Sequence, residues 1–427
     1  MNIRFYNGLV CAMLDKTEII EGQEVWIQDN KISYIGHYNP SEFTFDREID
    51  LKGNLIMPGF KNAHAHSGMT FLRSYADDLP LIDWLNHKVF PIEAKLKEEH
   101  VYYFNLLGIL EYLTSGITSV MDMYFFQDEM VQASLDVGFR SVLVSGINGD
   151  NLDSVKKMEE NYLRFNGSHD LISALMGFHA EYTSSKELIK EISKTAARYK
   201  ASVYTHNSES KREVGECIER TGMTPTQYLN SLGIFDNGGG CFHCVHLSQE
   251  DFEIFKQKKI AVVTCPASNC KLSSGIAQVE KMVNFGIRVA LGTDGHASNN
   301  ALDMFREMYL TTALQKVITD NASAMDPIKV LEMITKVGAN IMGLTDCDSL
   351  APGKLADLIV IDLHQPNMQP LNDILKNLVY SGSKQNIKLT MINGKILYED
   401  GKFNIGIDPE EIYKEVNKIK LYLVSNL

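Results

Sequence analysis

The chain has no apolar segment long enough to cross a membrane and no excess of positive charge. A membrane-spanning helix needs about 18 or more consecutive apolar residues, and the 427 residues contain no such run. Acidic residues outnumber basic ones by 54 to 41, so the formal net charge is −13. A nucleic acid or an anionic membrane surface requires a basic face on its partner. We therefore expect neither a nucleic-acid nor a membrane partner.

Cysteine is also scarce. Seven cysteines in 427 residues are an odd number and provide no compact disulfide framework, which favours a reducing compartment. The segment Met1–Tyr6 lacks the basic and apolar regions of a secretory signal. Cys241 and Cys244 have the spacing of half a zinc ribbon, but no second Cys-x-x-Cys follows, so we interpret them as buried strand thiols. The expected location is the cytoplasm.

Beyond the first 53 residues, apolar and β-branched runs alternate with longer amphipathic segments. Parallel strands that are buried on both faces have this near-continuous apolar character, and eight strand–helix units predict an α/β fold, most simply a TIM-like (β/α)8 barrel. A doubly wound sheet is the alternative, but it rarely needs eight units, and no glycine-rich phosphate loop follows the first run. The eight runs are 54–66, 116–124, 139–147, 171–179, 201–206, 240–246, 260–265 and 287–294.

Both ends of the chain have a different, short-stranded texture. Alternating runs occur at the start, and β texture returns after residue 350, including a short apolar run at 378–380 that we interpret as a strand. Neither end is long enough to bury a core alone, so we expect the two to pair into one small β-sandwich. The expected domains are 1–55 for the first part of the sandwich, 56–347 for a metal-dependent barrel, and 348–427 for the second part with a C-terminal helix.

Metal-ligand residue types stand at the ends of five of the eight runs. Active sites of barrels lie at the carboxyl ends of the strands, so these residues are expected to share one mouth. Imidazole nitrogens and carboxylate oxygens suit zinc, with iron or manganese as alternatives. The candidates are His64 and His66 in the first run, His179 in the fourth, His206 in the fifth, His243 and His246 in the sixth, and Asp294 in the eighth.

The best ligand set leaves room for a water molecule on one divalent metal. A bridging lysine, which a two-metal site often uses, is missing from 173–179. Glu209 follows His206 by three residues and can reach the site without binding the metal, as a proton shuttle; the alternative is a helix-capping role in the first turn of the next helix. His243 and His246 face opposite sides of a strand, and spacing alone does not choose between them. The ligand set is His64, His66, His206 and Asp294.

Several segments resemble the amidohydrolase superfamily, and more closely its branch of S-adenosylhomocysteine, methylthioadenosine and adenosine deaminases with the related chlorohydrolases. The resemblance implies a barrel that hydrolyses an amino group from a ring carbon, and it also implies a homo-oligomer. It covers most of the chain. The segments that carry it are 57–66, Trp84 with 90–93, 205–209, 242–246, 266–272, 291–300 and 351–358.

The resemblance implies a role for each candidate residue. His64, His66, His206 and Asp294 would hold the metal. Asp294 would also accept the proton of the attacking water, while Glu209 would protonate the ring nitrogen. His243 matches the residue that orients the water, so the resemblance favours His243 over His246 as the site residue. Glu93 matches a residue that binds ribose hydroxyls, and His179 matches another substrate contact.

The chain also departs from the family pattern. Ser145 stands where members that act on S-adenosylhomocysteine carry an arginine for its carboxylate, and a serine does not replace an arginine–carboxylate fork. Glu181 replaces a usual proline, Thr264 stands in the loop where a histidine is frequent, and His296 replaces a small residue beside Asp294. We expect these changes at the barrel mouth to affect the choice of substrate.

The predicted function is therefore a metal-dependent hydrolytic deaminase of a small heterocyclic substrate, an adenine nucleoside. The candidates are adenosine, methylthioadenosine, deoxyadenosine and S-adenosylhomocysteine, with the Ser145 departure favouring the first three. One alternative is a deaminase or chlorohydrolase of another heterocycle, such as a free purine, a pterin or a triazine. A non-catalytic scaffold is a third interpretation, which the complete set of metal-ligand types disfavours.

Overall fold

An eight-stranded parallel sheet carries strands in the same order as the chain. A computed structural model describes residues 1–39, 43–75, 77–79 and 81–425. Within this part of the chain the strands form sheets of eight, four and seven members. Every pairing in the eight-stranded sheet is parallel, and Asp294 N–H donates to His64 O at 3.0 Å where the last strand returns to the first. The predicted (β/α)8 barrel is confirmed.

The N-terminal segment supplies strands to two antiparallel-rich sheets. The four-stranded sheet has the order β5-β4-β1-β6, and β7, β2 and β3 form one end of the seven-stranded sheet. The strands are β1 (Asn2–Tyr6), β2 (Leu9–Val10), β3 (Ile20–Glu21), β4 (Glu24–Gln28), β5 (Lys31–Gly36), β6 (Arg47–Asp50) and β7 (Leu55–Pro58).

The barrel follows, with its strands buried on both faces and its helices outside. Its strands are β8 (Phe60–Ala65), β9 (Ile117–Tyr124), β10 (Arg140–Ser145), β11 (Ile172–Ala180), β12 (Val203–Asn207), β13 (Gly239–His243), β14 (Ile260–Thr264) and β15 (Val289–Leu291). The helices are α1 (Leu81–Trp84), α2 (Phe90–Glu93), α3 (Glu98–Thr114), α4 (Gln127–Val137), α5 (Asp153–Phe165), α6 (Lys186–Tyr199), α7 (Lys211–Thr221), α8 (Pro225–Ser231), α9 (Gln249–Lys258), α10 (Pro266–Lys271), α11 (Val279–Asn284), α12 (Met304–Ile318), α13 (Pro327–Met333) and α14 (Lys336–Ile341). A π-helical turn (Leu85–Val89) joins α1 to α2, and 3₁₀ turns lie at Ser67–Leu72, Glu181–Thr183 and Thr345–Cys347.

The C-terminal segment completes the small sandwich. Its strands extend the seven-stranded sheet in the order β19-β18-β17-β16-β7-β2-β3. Apolar side chains from both chain ends, such as Phe5 and Leu358, share one buried cluster between the two sheets. None of the described helices is long and apolar enough to cross a bilayer. The elements are β16 (Leu358–Ile361), α15 (Ile374–Tyr380), β17 (Ile387–Ile392), β18 (Lys395–Glu399), β19 (Lys402–Phe403) and α16 (Pro409–Ser425), with 3₁₀ turns at Pro366–Met368 and Lys384–Asn386.

The first apolar run, 54–66, is two strands in different sheets rather than one. β7 pairs with β16 of the sandwich, whereas β8 pairs with β9 of the barrel. Gly59 separates them, and a Cβ atom there would lie 2.0 Å from Thr118 Cγ2, so only glycine allows the chain to pass so close to β9. The chain therefore changes sheets at Gly59, and not between residues 55 and 56.

The short run at 378–380 is the end of helix α15 and not a strand, so this prediction was wrong. Asp373 caps the helix, because its side chain accepts a hydrogen bond from Lys376 N at 3.1 Å. Leu375, Leu378 and Val379 are buried, a spacing of three and four residues that places them on one helical face. Three residues are too few to distinguish the period of a strand, two residues, from that of a helix, 3.6 residues.

Barrel and sandwich are joined by a buried ion pair. Arg140, at the start of β10, donates to both carboxylate oxygens of Asp357 at 2.6 and 3.0 Å. Asp357 Oδ1 also accepts from Asn393 N at 2.8 Å. Both charged side chains are almost completely buried, so each depends on the other for its polar contacts.

Candidate active site

Four of the candidate side chains meet at the carboxyl ends of three barrel strands. His64 lies on β8, His66 directly follows β8, His206 lies on β12, and Asp294 follows β15. Nε2 of His66 lies 3.2 Å from Asp294 Oδ1, and Nε2 of His64 lies 3.6 Å from the same oxygen. One ring nitrogen from each of the three histidines lies within 4.8 Å of the others. The structure thus brings these four side chains to one point, although 230 residues separate His64 from Asp294.

Backbone carbonyls orient two of the imidazoles. Nδ1 of His66 lies 2.5 Å from Met123 O, and Nδ1 of His206 lies 2.6 Å from His179 O. Because a carbonyl oxygen can only accept, each Nδ1 carries a hydrogen, and Nε2 is the ring nitrogen left for the cluster. The fold therefore directs both free nitrogens into the cluster, as a metal site requires.

The third imidazole, His64, is buried without a polar partner. Neither of its ring nitrogens has a hydrogen bond among the described residues, and its ring stacks on Phe242 with centroids 3.7 Å apart. Buried polar groups are almost always satisfied. Burial also lowers the pKa of His64 well below its ordinary value, so the ring is neutral and able to bind a cation. Three imidazoles and one carboxylate fit a divalent metal of the zinc type.

The carboxylate of Asp294 is held by two serines. Its Oδ2 atom accepts hydrogen bonds from Ser268 Oγ and Ser298 Oγ, both at 2.6 Å. Burial alone would raise the pKa of Asp294, but the hydrogen bond to His66 and the neighbouring imidazoles lower it well below the usual range. The group is therefore ionised, with Oδ1 left for the cluster. Sequence reasoning did not single out these serines, although both lie in segments that carry the family resemblance.

Glu209 and His243 face each other beside the cluster. His243 Nε2 lies 3.8 Å from Glu209 Oε2, and Ser274 Oγ donates to Glu209 Oε1 at 3.3 Å. Burial raises the pKa of Glu209, which allows this carboxyl group to hold a proton that an exposed glutamate would lose. His246 Nε2 instead contacts Ser274 O at 2.6 Å, and His246 is not among the described pocket-lining residues.

A second buried glutamate holds the backbone that carries Glu209. The N–H groups of Ser208, Glu209 and Ser210 all donate to the Glu213 carboxylate, at 2.8, 2.6 and 3.3 Å. Ser210 Oγ accepts from Glu213 N at 3.1 Å, which completes a capping box at the start of α7. The Ser-x-x-Glu spacing was a signal for this arrangement that the sequence interpretation did not use.

A pocket opens above the cluster. Glu93 and His179 both line it, and burial lowers the pKa of His179 to about 4. No lysine or arginine occurs among the described lining residues. One wall is apolar and is formed by Trp84, Leu85, Val89 and Phe90, with Met69, Met123, Phe125 and Leu272 completing the apolar lining.

The departures from the family pattern do not line this pocket in the described part of the chain. Both oxygens of Glu181 accept from Arg220, at 2.9 and 3.0 Å. His296 Nε2 contacts Glu111 at 3.1 Å. Ser145 is buried beside the lining residue Gly146, and Thr264 Oγ1 contacts Asn269 Nδ2 at 3.5 Å. Glu181 and His296 therefore make polar contacts with Arg220 and Glu111 and do not line the pocket.

The chain folds into a (β/α)8 barrel with three imidazoles and a carboxylate at its strand ends, and the buried acid Glu209 lies beside them. This arrangement defines the class of metal-dependent barrel hydrolases. Residues 55–397 match the model of the Amidohydrolase family, and the chain belongs to that family. Together with the deaminase names of its relatives, this membership identifies a hydrolytic enzyme that acts on C–N bonds.

Similar proteins extend over the full chain. The chain is 39% identical over 425 residues to a 5-methylthioadenosine/S-adenosylhomocysteine deaminase of Caldanaerobacter subterraneus subsp. tengcongensis, covering 98% of each chain. A protein of the same name from Pelotomaculum thermopropionicum is 38% identical over 430 residues, with 99% of each chain covered.

Solved structures share the fold. An adenosine deaminase from Xanthomonas campestris with bound zinc superposes with a TM-score of 0.93 at 28% identity, covering 99% of this chain and 98% of that one. An atrazine chlorohydrolase from Arthrobacter aurescens complexed with zinc superposes with a TM-score of 0.90 at 21% identity, covering 98% and 100%. The second likeness shows the fold alone.

Proposed function

We propose that this protein removes the amino group of an adenine nucleoside by hydrolysis, using one divalent metal ion, zinc. The observation that carries the proposal is the position of Glu209, a buried acid with a raised pKa, beside His243 and in the same pocket as the metal-ligand residues His66, His206 and Asp294. The relatives that match almost the whole chain are methylthioadenosine/S-adenosylhomocysteine deaminases, which supports the same substrate class.

His64, His66, His206 and Asp294 would hold the metal. When bound, a metal of this type supplies a water molecule whose pKa is lowered to near neutrality. The reaction forms a bond from the water oxygen to the ring carbon and breaks the bond from that carbon to nitrogen, so that ammonia leaves.

The residues around the cluster have separate proton-handling tasks. Glu209 holds a proton at its carboxyl group and donates it to the ring nitrogen, which makes the adjacent carbon a better electrophile. His243 Nε2 accepts a hydrogen bond from the attacking water and so orients it. Asp294, kept ionised by its surroundings, accepts a proton from that water. The proton on Asp294 then passes to the departing amine, and the remaining hydroxyl proton on the ring carbon returns to Glu209 as the product carbonyl forms. The apolar wall around Trp84 limits the access of other water molecules.

A substrate panel tests the proposal. Zinc-loaded protein is assayed for ammonia and for ultraviolet absorbance changes with adenosine, methylthioadenosine, 2′-deoxyadenosine, S-adenosylhomocysteine, adenine and guanine. We expect ammonia from the nucleosides and little from the free bases. If none of the nucleosides releases ammonia, the proposal is refuted. If a free base is turned over faster than the nucleosides, the substrate is another heterocycle.

A variant pair tests the role of Glu209. Glu209→Gln keeps the shape of the side chain but removes the acid, so kcat should fall by about 100-fold to 10,000-fold while the metal content is unchanged. Glu216→Gln on the exposed face of α7 is the matched control, and it should leave both quantities unchanged.

A further inference from the structure

Tyr124 and Glu93 form a hydrogen-bonded pair on the pocket wall. Tyr124 ends β9, Glu93 ends α2, and both line the pocket. The Tyr124 hydroxyl donates to Glu93 Oε1 at 2.5 Å. Burial raises the pKa of Tyr124 well above its ordinary value, so the hydroxyl keeps its proton and remains a donor. One oxygen of the Glu93 carboxylate is therefore occupied, and the other is left to the pocket.

The position of the Tyr124 ring is set by a glycine. A Cβ atom on Gly68 would lie 2.2 Å from both Cδ1 and Cε1 of Tyr124, so the ring packs in space that only a glycine leaves open. The 3₁₀ turn that contains Gly68 is itself tied to β9, because Ser67 N–H donates to Asp122 Oδ1 at 2.9 Å. The buried ring is thus confined between β9 and this turn, and the direction of its hydroxyl follows from the fold.

The free oxygen of Glu93 faces a pocket with no lysine or arginine among its described lining residues. A carboxylate oxygen without a cationic partner is best satisfied by neutral hydrogen-bond donors. Two adjacent hydroxyl groups, as in the ribose of a nucleoside, supply two such donors to one acceptor group. The family resemblance already implies that Glu93 binds ribose hydroxyls. We propose that Tyr124 is a positioning residue, which fixes the Glu93 side chain for its contact with the vicinal diol of the substrate. This inference rests on the proposed nucleoside substrate.

Tyr124→Phe tests the proposal, because it removes the hydroxyl and keeps the ring. Loss of one ordinary hydrogen bond corresponds to up to about a tenfold change in binding. We expect KM for adenosine to rise by about tenfold, with kcat within about twofold of the unmodified protein. KM for 2′,3′-dideoxyadenosine, which lacks the diol, should not change. An equal rise in KM for both compounds would show a role in packing only and would overturn the proposal.

Two further variants separate positioning from general damage. Glu93→Gln should lose most of the preference for the diol, and adding Tyr124→Phe to it should cause no further loss, since both act on the same contact. Additive losses would contradict the proposal. Tyr102→Phe removes a tyrosine–carboxylate hydrogen bond of the same kind, 2.8 Å long, to Asp136 outside the pocket, and it should change neither KM.

A binding measurement keeps the result independent of catalysis. Trp84 lines the pocket, so its fluorescence can report the binding of inosine and of 2′,3′-dideoxyinosine in a Trp26→Phe background. The proposal expects tighter binding of inosine and loss of that preference in Tyr124→Phe. It fails if both compounds bind equally, or if neither binds, or if the preference survives the substitution. Failure of the proposed function would instead show as absence of ammonia from every nucleoside.

Discussion

The ring of His243 is held by Asn269, whose side-chain oxygen Oδ1 lies 2.8 Å from Nδ1. Because an amide oxygen can only accept, Nδ1 carries the hydrogen, and Nε2 presents its lone pair toward Glu209 and the pocket. Asn269 Nδ2 in turn contacts Thr264 Oγ1 at 3.5 Å, which keeps the amide in this orientation. Asn269 therefore sets the tautomer of the one imidazole that lies beside the proton-holding acid.

Asn269→Asp should change the pH dependence of the reaction. A carboxyl group at this position would add a negative charge beside Nδ1, so kcat should vary with pH over the range in which the new carboxyl group titrates. Turnover at neutral pH should fall by about 10-fold to 100-fold, as for other groups that orient a histidine in a metal site. Cys270→Ser, an exposed neighbour on α10, is the control. An unchanged profile for Asn269→Asp would contradict the assigned tautomer.

Glu213→Ala should impair both activity and stability, since three backbone N–H groups lose their acceptor. Leaving buried donors unsatisfied costs about 1–3 kcal/mol, and Glu209 loses its support. We expect a lower unfolding free energy in urea and a lower kcat with KM less affected. Glu216→Ala on the same helix removes only an exposed pair with Arg212 and should change neither. Full activity of Glu213→Ala would show that the segment carrying Glu209 keeps its conformation without the Glu213 carboxylate.

Removal of the metal should abolish ammonia release, and zinc should restore it. Because a ligand that binds only the folded state stabilises it, chelation should also lower the melting temperature. His206→Ala should bind clearly less metal by elemental analysis. The matched control is His246→Ala, since His246 contacts Ser274 O and stands outside the cluster; it should retain its metal. Undiminished metal content in His206→Ala would remove this residue from the ligand set.

Asp357→Asn should destabilise the protein in a pH-dependent way. Burial alone would raise the pKa of Asp357, but the charge and hydrogen bonds of Arg140 lower it below the usual value of 3.8. A group with a lowered folded-state pKa stabilises the fold above its unfolded pKa and loses this contribution as the pH falls through the folded value. The substitution should cost about 3–5 kcal/mol at neutral pH, with a smaller difference from the unmodified protein below about pH 4.

Denaturant titrations across this pH range measure the effect. Asp153→Asn, in an exposed pair with Lys156, is the control and should show no measurable change at any pH. A difference of constant size between Asp357→Asn and the unmodified protein would show that packing, and not the ionised pair, accounts for the loss.

Much of the barrel could be predicted because its signals are local. Each of the eight apolar runs overlaps one barrel strand, since the burial of a parallel strand on both faces constrains consecutive residues. The candidate ligands could be named for the same reason: each lies at or just after the end of such a run. The sequence pattern gave the wrong element where one run contained strands of two sheets, on either side of Gly59. It also did so at 378–380, where the run was too short to show whether its period was that of a strand or a helix.

The contacts that give the site its chemistry join residues far apart in the chain. Asn269 and His243 are 26 positions apart, Tyr124 and Glu93 are 31 apart, and Arg140 and Asp357 are 217 apart. No periodicity connects such pairs, because their distance depends on the path of the loops and on the closure of the barrel. The same holds for Glu181 and His296. Their contacts with Arg220 and Glu111 depend on the tertiary packing and could not be predicted from the sequence.

The sequence by itself determined the alternation of strands and helices, and with it the mouth at which His64, His66, His206 and Asp294 would gather. Those features follow from burial patterns and residue types that neighbouring positions share. Only the tertiary structure decided that Asn269 sets the tautomer of His243, that Glu213 supports Glu209, and that Gly68 leaves room for Tyr124 to hold Glu93. The physical reason is that hydrogen bonds and close packing act over a few ångströms, and only the folded chain brings these side chains within that range.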